Sequence, residues 1–510
     1  MKSIATVGSN TLLSRILGFV RDLLVARIFG ADAGTDAFFV AFKIPNFMRR
    51  LFAEGAFSMA FVPVLSEYRA RRSLAELKHF VDDVAGTLGT VLLAITLVGV
   101  VGAPLLVLVF APGFLGEGDQ YRLAVEMLRL TFPYVFFISL TAFAGGILNA
   151  HERFGVPAFT PVLLNLALIG CALWLAPRLD RPIMALAWGV LLAGVLQLGF
   201  QAPFLRQVRL LPRPRLAPKD EGVRRIVRLM IPALFGVSVT QINLLLDTLI
   251  ASFLVSGSIS WLYYSDRLME FPLGVLGVGL GTVILPRLSR RHAEQSPEQF
   301  SQTLDWALRW AFLFGLPAAI GLLALAGPMF ATLFFSDAFT AEDVRSATRS
   351  LMAFSLGLLA FILIKVLAPA FYSRQDTRTP VRIGIIAMGA NLGLNIALVF
   401  PLAHAGLALA TTLSSSLNAF LLYRGLRRDG AYRPPRGWGG LLLRIGVAAG
   451  LMGVLLGWGG GDLESWLVLS DGERVARLVY WIGAGALTYF LLLFLSGIRL
   501  RHFRHHSDWA

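Results

Sequence analysis

Apolar runs of about twenty residues follow one another along almost the whole of this chain. A run of that length spans the hydrocarbon of a bilayer when it is helical. Only a helix or a closed barrel satisfies its backbone polar groups in lipid, and barrel strands alternate where these runs are continuous. The expected fold is therefore an all-α polytopic membrane protein. Composition agrees, because 56% of the 510 residues are hydrophobic and only 15% charged, where an ordinary soluble chain has about a quarter charged.

The runs predict about fourteen transmembrane helices. They lie near 4–28, 35–65, 84–111, 122–149, 158–177 and 182–204, then near 226–254, 258–286, 303–334, 345–372, 380–401 and 404–425, with a final pair near 439–459 and 475–497. Arg and Lys alternate from connection to connection. They crowd into 69–78, 206–219, 287–291, 374–378, 424–436 and 499–504, whereas 117–119, 256–258, 337–343 and 462–464 are short or acidic. The basic set is expected on the cytoplasmic side, which puts both termini there.

The same loops account for the net charge of +15 without any nucleic-acid partner. Cys171 is the only cysteine, so no internal disulfide or multi-thiolate metal site forms. The start of the chain has Lys2 and an apolar stretch, but Arg15 interrupts it and no small-residue cleavage site follows, so a retained first span is expected.

Short words recur at one offset. FVPVLS at 61–66 answers ILPRLS at 284–289, GILNA at 146–150 answers PAFYS at 369–373, and Thr160-Pro161 answers Thr379-Pro380, all about 219 to 223 residues apart. Two pseudo-symmetric six-helix lobes are expected, 1–205 and 226–426, joined by a proline-rich cytoplasmic linker at 206–225 and followed by two additional helices with a basic tail at 427–510. Six spans per lobe make the repeats parallel, an arrangement that places substrate between lobes and works by alternating access.

Against this apolar background, residues 14–54 carry ten charges, among them Arg15, Arg21, Asp22, Arg27, Asp36, Lys43, Arg49, Arg50 and Glu54. A charge at the bilayer centre costs roughly 3 kcal/mol, so such residues face protein or a watery cavity and mark function. Arg15 and Asp22 are seven apart and share a helix face with Gly18, whereas Arg21 points about 120° away. Either a bend near Gly18 brings both arginines to one ligand, or Arg15 pairs with Asp22. Pro45 should kink the second helix, with Asn46 near the freed carbonyls. Arg50 and Glu54 can pair at i and i+4, leaving Arg49 without such a partner. In the eighth helix Asp266, Arg267 and Glu270 follow, and Arg267 can pair with Glu270 at i+3.

The first, second and eighth helices together hold seven cations and five anions, an excess of two. An unpaired buried charge is costly, so the missing anion is most simply the cargo. Arginine's planar fork suits phosphate or carboxylate, and a diphosphate matches the excess. Asp247 stands alone in the seventh span, where binding Na⁺, carrying a proton and pairing with Lys365 are the open readings. Asn391 and Asn395, at i and i+4 on the eleventh helix, offer further oxygens or interhelical hydrogen bonds.

No GxxxxGK[ST] loop is present, so nucleotide hydrolysis by that mechanism is excluded. All seven histidines fall in predicted loops or the tail, which argues against an intramembrane metal centre or His base. The run GVLGVGLGT at 274–282 reads as close helix packing rather than a cofactor loop.

The words SRILGFVRD at 14–22, GTDAFFVAFKIPNFMRRLFAEGAFSMAFVPV at 34–64, SWLYYSDRLMEFPLGVLGVGLGT at 260–282 and APAFYSRQDTRTPV at 368–381 resemble the MurJ (MviN) family of lipid II flippases. This family lies within the superfamily of multidrug and polysaccharide-lipid exporters. The resemblance implies a cargo of undecaprenyl-diphosphate-linked disaccharide-pentapeptide, moved to the outer leaflet of the bacterial inner membrane for peptidoglycan synthesis. It implies cavity arginines at Arg15, Arg21, Arg49 and Arg267, a functional acid at Asp36, and further cavity positions at Ser14, Asn46, Ser260 and Glu270. Na⁺ or membrane potential is implied as the energy source, with Asp247 as the nearest match to an acid of the seventh helix and Asp376 as a weaker second ligand beside Asn391. The lipid and the bilayer are the expected partners, with no enzymatic activity, no bound cofactor and a monomer as the working unit. A MATE-like drug exporter would prefer an anionic or aromatic cavity. A polyprenyl-phosphate enzyme would need an acid cluster or a histidine at the interface, and neither pattern is present.

Overall fold

A computed structural model describes the backbone of residues 2–50, 57–116 and 118–498, with side chains over the same ranges except 2–5, 233 and 235–244. Among the described residues every regular element is helical. Nine helical stretches among the described residues are long and apolar enough to cross a membrane, ten if one bent pair counts as a span. The chain divides into two compact units, Met1–Ser260 and Trp261–Ala510.

The first unit contains α1 (Lys2–Phe29), α2 (Ala33–Met48), α3 (Ser58–Arg71), α4 (Leu74–Val101), α5 (Ala103–Phe110), α6 (Gly118–Thr131), α7 (Tyr134–Ala150), α8 (Gly155–Gly170), α9 (Met184–Gln207) and α10 (Glu221–Ala251). Helix α1 packs along α8, α8 and α7 along α9, and α2 along α6. Within the single span expected at 35–65 the described residues form α2 and α3, and 51–56 between them lie outside the described range.

Pro45 shows why α2 needs a neighbour. It has no N–H, so the carbonyl of Ala41 lacks its helical donor, and in lipid an unmet carbonyl is costly. The fully buried Thr131 of α6 meets it, its hydroxyl donating at 2.8 Å. Asn46 was expected near the freed carbonyls; the side-chain donor that meets Ala41 comes from another helix.

Helix α10 packs on α3, α4 and α5. It belongs with the first six spans, although the repeat offset puts it at the head of the second lobe. The reason is a shared apolar core in which Val223 and Ile226 join Phe61, Leu77, Phe80 and Phe143. Rings of Phe61 and Phe143 stand 5.0 Å apart and those of Tyr68 and Phe80 4.1 Å, while Glu67 bridges to Arg225 at 2.8 Å. The 206–225 connection, expected as a surface linker, is docked on α4. Leu210 is buried, Asp82 accepts from the backbone N–H of Arg213 at 2.7 Å, and its carbonyl accepts from that of Arg215 at 3.0 Å.

The second unit takes in α11 (Ser258–Pro272) after its first turn, then α12 (Gly279–Ala293), α13 (Pro297–Leu333), α14 (Ala341–Ser355), α15 (Leu358–Tyr372), α16 (Arg378–Arg428), α17 (Trp438–Gly460), the short α18 (Leu463–Leu467) and α19 (Asp471–Leu495). A π-helical segment at Leu273–Val278 links α11 to α12. The span expected at 345–372 is the pair α14 and α15, bent by 40°. The eleventh and twelfth spans run together as α16, broken at Ala403, where φ is 49°. Helix α13 is the hub, packed by α12, α14, α15, α17 and α19. Part of the glycine run packs closely on α15, since a Cβ at Gly277 would lie 3.5 Å from the Lys365 side chain and one at Gly281 3.0 Å from the Lys365 carbonyl oxygen, whereas Gly279 has open space beside it.

Candidate functional site

Helix α1 supplies the first charged group. Arg15 is exposed, whereas Arg21 and Asp22 are buried at 7% and 3% exposure. The expected Arg15–Asp22 alternative gives way to a different pair. Arg21 donates to Asp22 Oδ1 through Nε at 2.9 Å and Nη2 at 2.6 Å. Its Nη1 donates to Oδ1 of Asn165 on α8 at 3.0 Å, and Asn165 Nδ2 donates to the carbonyl of Ser14 at 3.0 Å. Periodicity gave no hint of this, because neighbours at i and i+1 do not face each other on a helix. The fork reaches Asp22 by lying along the helix surface.

At the C-terminal end of α2, Arg49 is half-buried and donates from Nε to Asn46 Oδ1 at 2.9 Å. Arg50 is exposed, and the Arg50–Glu54 pairing concerns a residue outside the described range. Lys43 donates from Nζ to Thr248 Oγ1 on α10, beside the half-buried Asp247.

Asp36, in the first turn of α2, is 2% exposed. Its Oδ2 accepts from the backbone N–H of Gly257 at 2.8 Å. Its Oδ1 accepts from the N–H of Ser260 at 2.8 Å and from the Ser260 hydroxyl at 2.6 Å. The turn before α11 aims these donors, with Gly257 at a φ of 95° that a side chain would strain. A carboxylate against the orphan N–H groups of a helix start is favourable twice over, by hydrogen bonding and by the helix dipole. Asp36 and Ser260 are thus joined to each other within the first unit.

The second unit holds Arg267, whose Nη1 donates to Glu270 Oε2 at 2.8 Å, the i+3 pair read from the sequence. Both side chains remain partly exposed, at 35% and 49%. Asn391 is fully buried, and neither atom of its carboxamide has a hydrogen-bond partner among the described residues. Asp376 lies between α15 and α16, where Oδ1 accepts from the N–H of Thr379 at 3.0 Å. Bonds to Thr379 hold its carboxyl below the usual carboxylate range. Among the described residues no group of three or more His, Cys, Asp or Glu could hold a metal ion.

The expectation that every histidine lies in a loop is corrected. His79 and His292 are within α4 and α12, and His404 is buried in α16 with Nε2 3.0 Å from the Ser346 carbonyl. His502, His505 and His506 lie outside the described residues.

The family described as "Lipid II flippase MurJ" matches residues 25–472. A probable lipid II flippase MurJ of Haemophilus influenzae is 48% identical, covering 96% of this chain and 99% of the relative. One of Vibrio cholerae is 47% identical over 100% and 98%, and the lipid II flippase MurJ of Burkholderia cenocepacia is 42% identical over 99% of each. Among solved structures, lipid II flippase MurJ in an inward closed conformation superposes with a TM-score of 0.80 at 26% identity, covering 95% of this chain and 97% of that one. An inward-facing MATE multidrug transporter shares the fold, with a TM-score of 0.66 at 17% identity over 84% and 98%. With matches of this length and identity, the chain belongs to the MurJ family of lipid II flippases.

Proposed function

We propose that this protein carries lipid II from the inner to the outer leaflet of the bacterial inner membrane by alternating access. The diphosphate and sugar head is bound by Arg15, Arg21, Arg49 and Arg267, and the polyprenyl tail stays in lipid. One observation supports this above others: arginines concentrate on apolar helices in a chain that aligns end to end with lipid II flippases. Arginine forks match phosphate oxygens bidentately. Asn46 and Glu270 each hold one of these arginines, Ser14 accepts from the amide that holds a third, and Asp36 with Ser260 ties the start of α11 to α2. Both termini face the cytoplasm, the monomer is the working unit, nucleic acid is no partner, and the chain performs no covalent chemistry of its own.

Na⁺ is the coupling ion in this reading, with Asp247 and Asn391 supplying oxygens. The buried, unpartnered carboxamide of Asn391 supports it, because such a group is costly unless a ligand satisfies it. Asp376 contributes less, being occupied with Thr379 at the start of α16.

Depletion of the protein in cells, with the leaflet distribution of lipid-linked peptidoglycan precursor as readout, tests the reading. Precursor should accumulate on the cytoplasmic side. An unchanged outer-leaflet pool, with no other flippase present, overturns it. The shared MATE fold raises a drug exporter as the second reading, which the excess of two positive charges on the three charged helices opposes.

A further inference from the structure

Asn165 lies on α8, away from every charged word of the sequence, yet the residue is only 5% exposed and its carboxamide binds in two directions. Oδ1 accepts from Arg21 Nη1 and Nδ2 donates to the Ser14 carbonyl, both at 3.0 Å. We propose that Asn165 is a positioning residue for lipid II binding, fixing the Arg21 guanidinium from across the helix interface. The proposal rests on Arg21 being a head-group ligand, as inferred above.

An arginine side chain carries roughly 2 kcal/mol of rotamer entropy. Asp22 cannot by itself orient Arg21, since the two neighbours leave the helix in different directions. Asn165 anchors the far side of the fork from α8. Its own orientation is set by the Ser14 carbonyl, which has a second lone pair to offer beside its helical bond.

The residue type matters. An amide accepts from the guanidinium with its oxygen and donates to the carbonyl with its nitrogen. A leucine does neither. An aspartate would set a lone pair against the Ser14 carbonyl and place a second carboxylate beside Arg21, making the Arg21–Asp22 pair net negative where an anion must dock. Gly18 lies directly under the amide, where a Cβ would stand in ordinary contact, 3.6 Å from Nδ2.

The test uses the purified full chain in lipid nanodiscs, titrated with lipid II and with undecaprenyl diphosphate. Asn165→Leu should weaken binding about tenfold or more, the scale of one hydrogen bond to a charged group. Arg21→Ala should weaken it comparably, and the double variant no further than the worse single one. Near-isosteric Asn165→Asp should keep the melting temperature and still bind more weakly. Wild-type affinity in Asn165→Asp, or losses that add fully in the double variant, overturns the proposal. A second measurement does not depend on the ligand: phenylglyoxal modification of Arg21, followed by peptide mass, should be several-fold faster in Asn165→Leu. Unchanged modification refutes the positioning role, whereas faster modification with no lipid binding by wild type refutes only the head-group reading.

Discussion

Asp36 Oδ1 receives two hydrogen bonds from one residue 224 positions away, from the backbone N–H of Ser260 at 2.8 Å and from its hydroxyl at 2.6 Å. With Oδ2 taken by Gly257, this buried carboxylate holds the start of α11 to the start of α2. Asp36→Asn turns an amide N–H₂ toward at least one of these donors, and hydrogen bonds to charged groups are each worth about 1.5–3 kcal/mol. A loss of about 2–3 kcal/mol is expected, against about 1 kcal/mol for Ser260→Ala, which keeps the backbone donor. Thermal unfolding in detergent gives the order, and equal effects would show that the hydroxyl carries the contact.

Arg21→Ala and Arg267→Ala should abolish complementation of a depleted strain at normal expression. Arg71→Ala should not, because its side chain is 78% exposed and only loosely paired with Glu67 at 3.7 Å. Growth supported by either cavity variant would mean that the Asp22 or Glu270 pair is structural and binds no cargo.

Gly86 of α4 faces the docked connection, where a Cβ would fall 2.1–2.3 Å from backbone atoms of Arg215. Backbone cannot yield as a flexible side chain does, so Gly86→Ala should cost about 1–3 kcal/mol. It should also speed proteolysis within 206–220. Unaltered cleavage and melting would show that the connection shifts freely.

Asn391→Leu separates two roles for the buried amide. If Na⁺ is its partner, the variant should lose the dependence of transport on Na⁺ over K⁺. If nothing binds there, removing an unsatisfied polar group should stabilise the protein by about 1–3 kcal/mol with transport unchanged. Transport assays in the two salts, with melting curves, distinguish them.

Asp376 titrates below its ordinary 3.8, chiefly through its side-chain bond with Thr379. A depressed carboxyl stabilises the folded chain above the ordinary value, and that contribution fades as pH falls through the lower folded value. Asp376→Asn should therefore melt below wild type at pH 7, and the gap should close below about pH 4. A gap independent of pH would point to hydrogen-bond geometry rather than charge.

Contacts within one helix were legible from spacing alone. The Arg267–Glu270 pair follows from i and i+3, and the same spacing relates Arg49 to its Asn46 partner. The Arg21–Asp22 fork was not legible, because its geometry depends on Asn165 from α8. Nor was the filling of the Pro45 gap by Thr131, or the retention of α10 by the first unit, since a repeat offset records ancestry of elements and not which core they bury into.

By itself the sequence determined the all-helical membrane class and showed which apolar helices carry charge. Lipid leaves a backbone few choices, and an arginine inside an apolar run must be accounted for wherever the helix goes. Tertiary structure decided which partner each charge takes. Asp36 meets Ser260, Arg21 meets Asn165, and Asp82 fastens the connection, all across more than a hundred residues of chain. Hydrogen bonds act over about 3 Å in space, and separation along a sequence carries no measure of that distance.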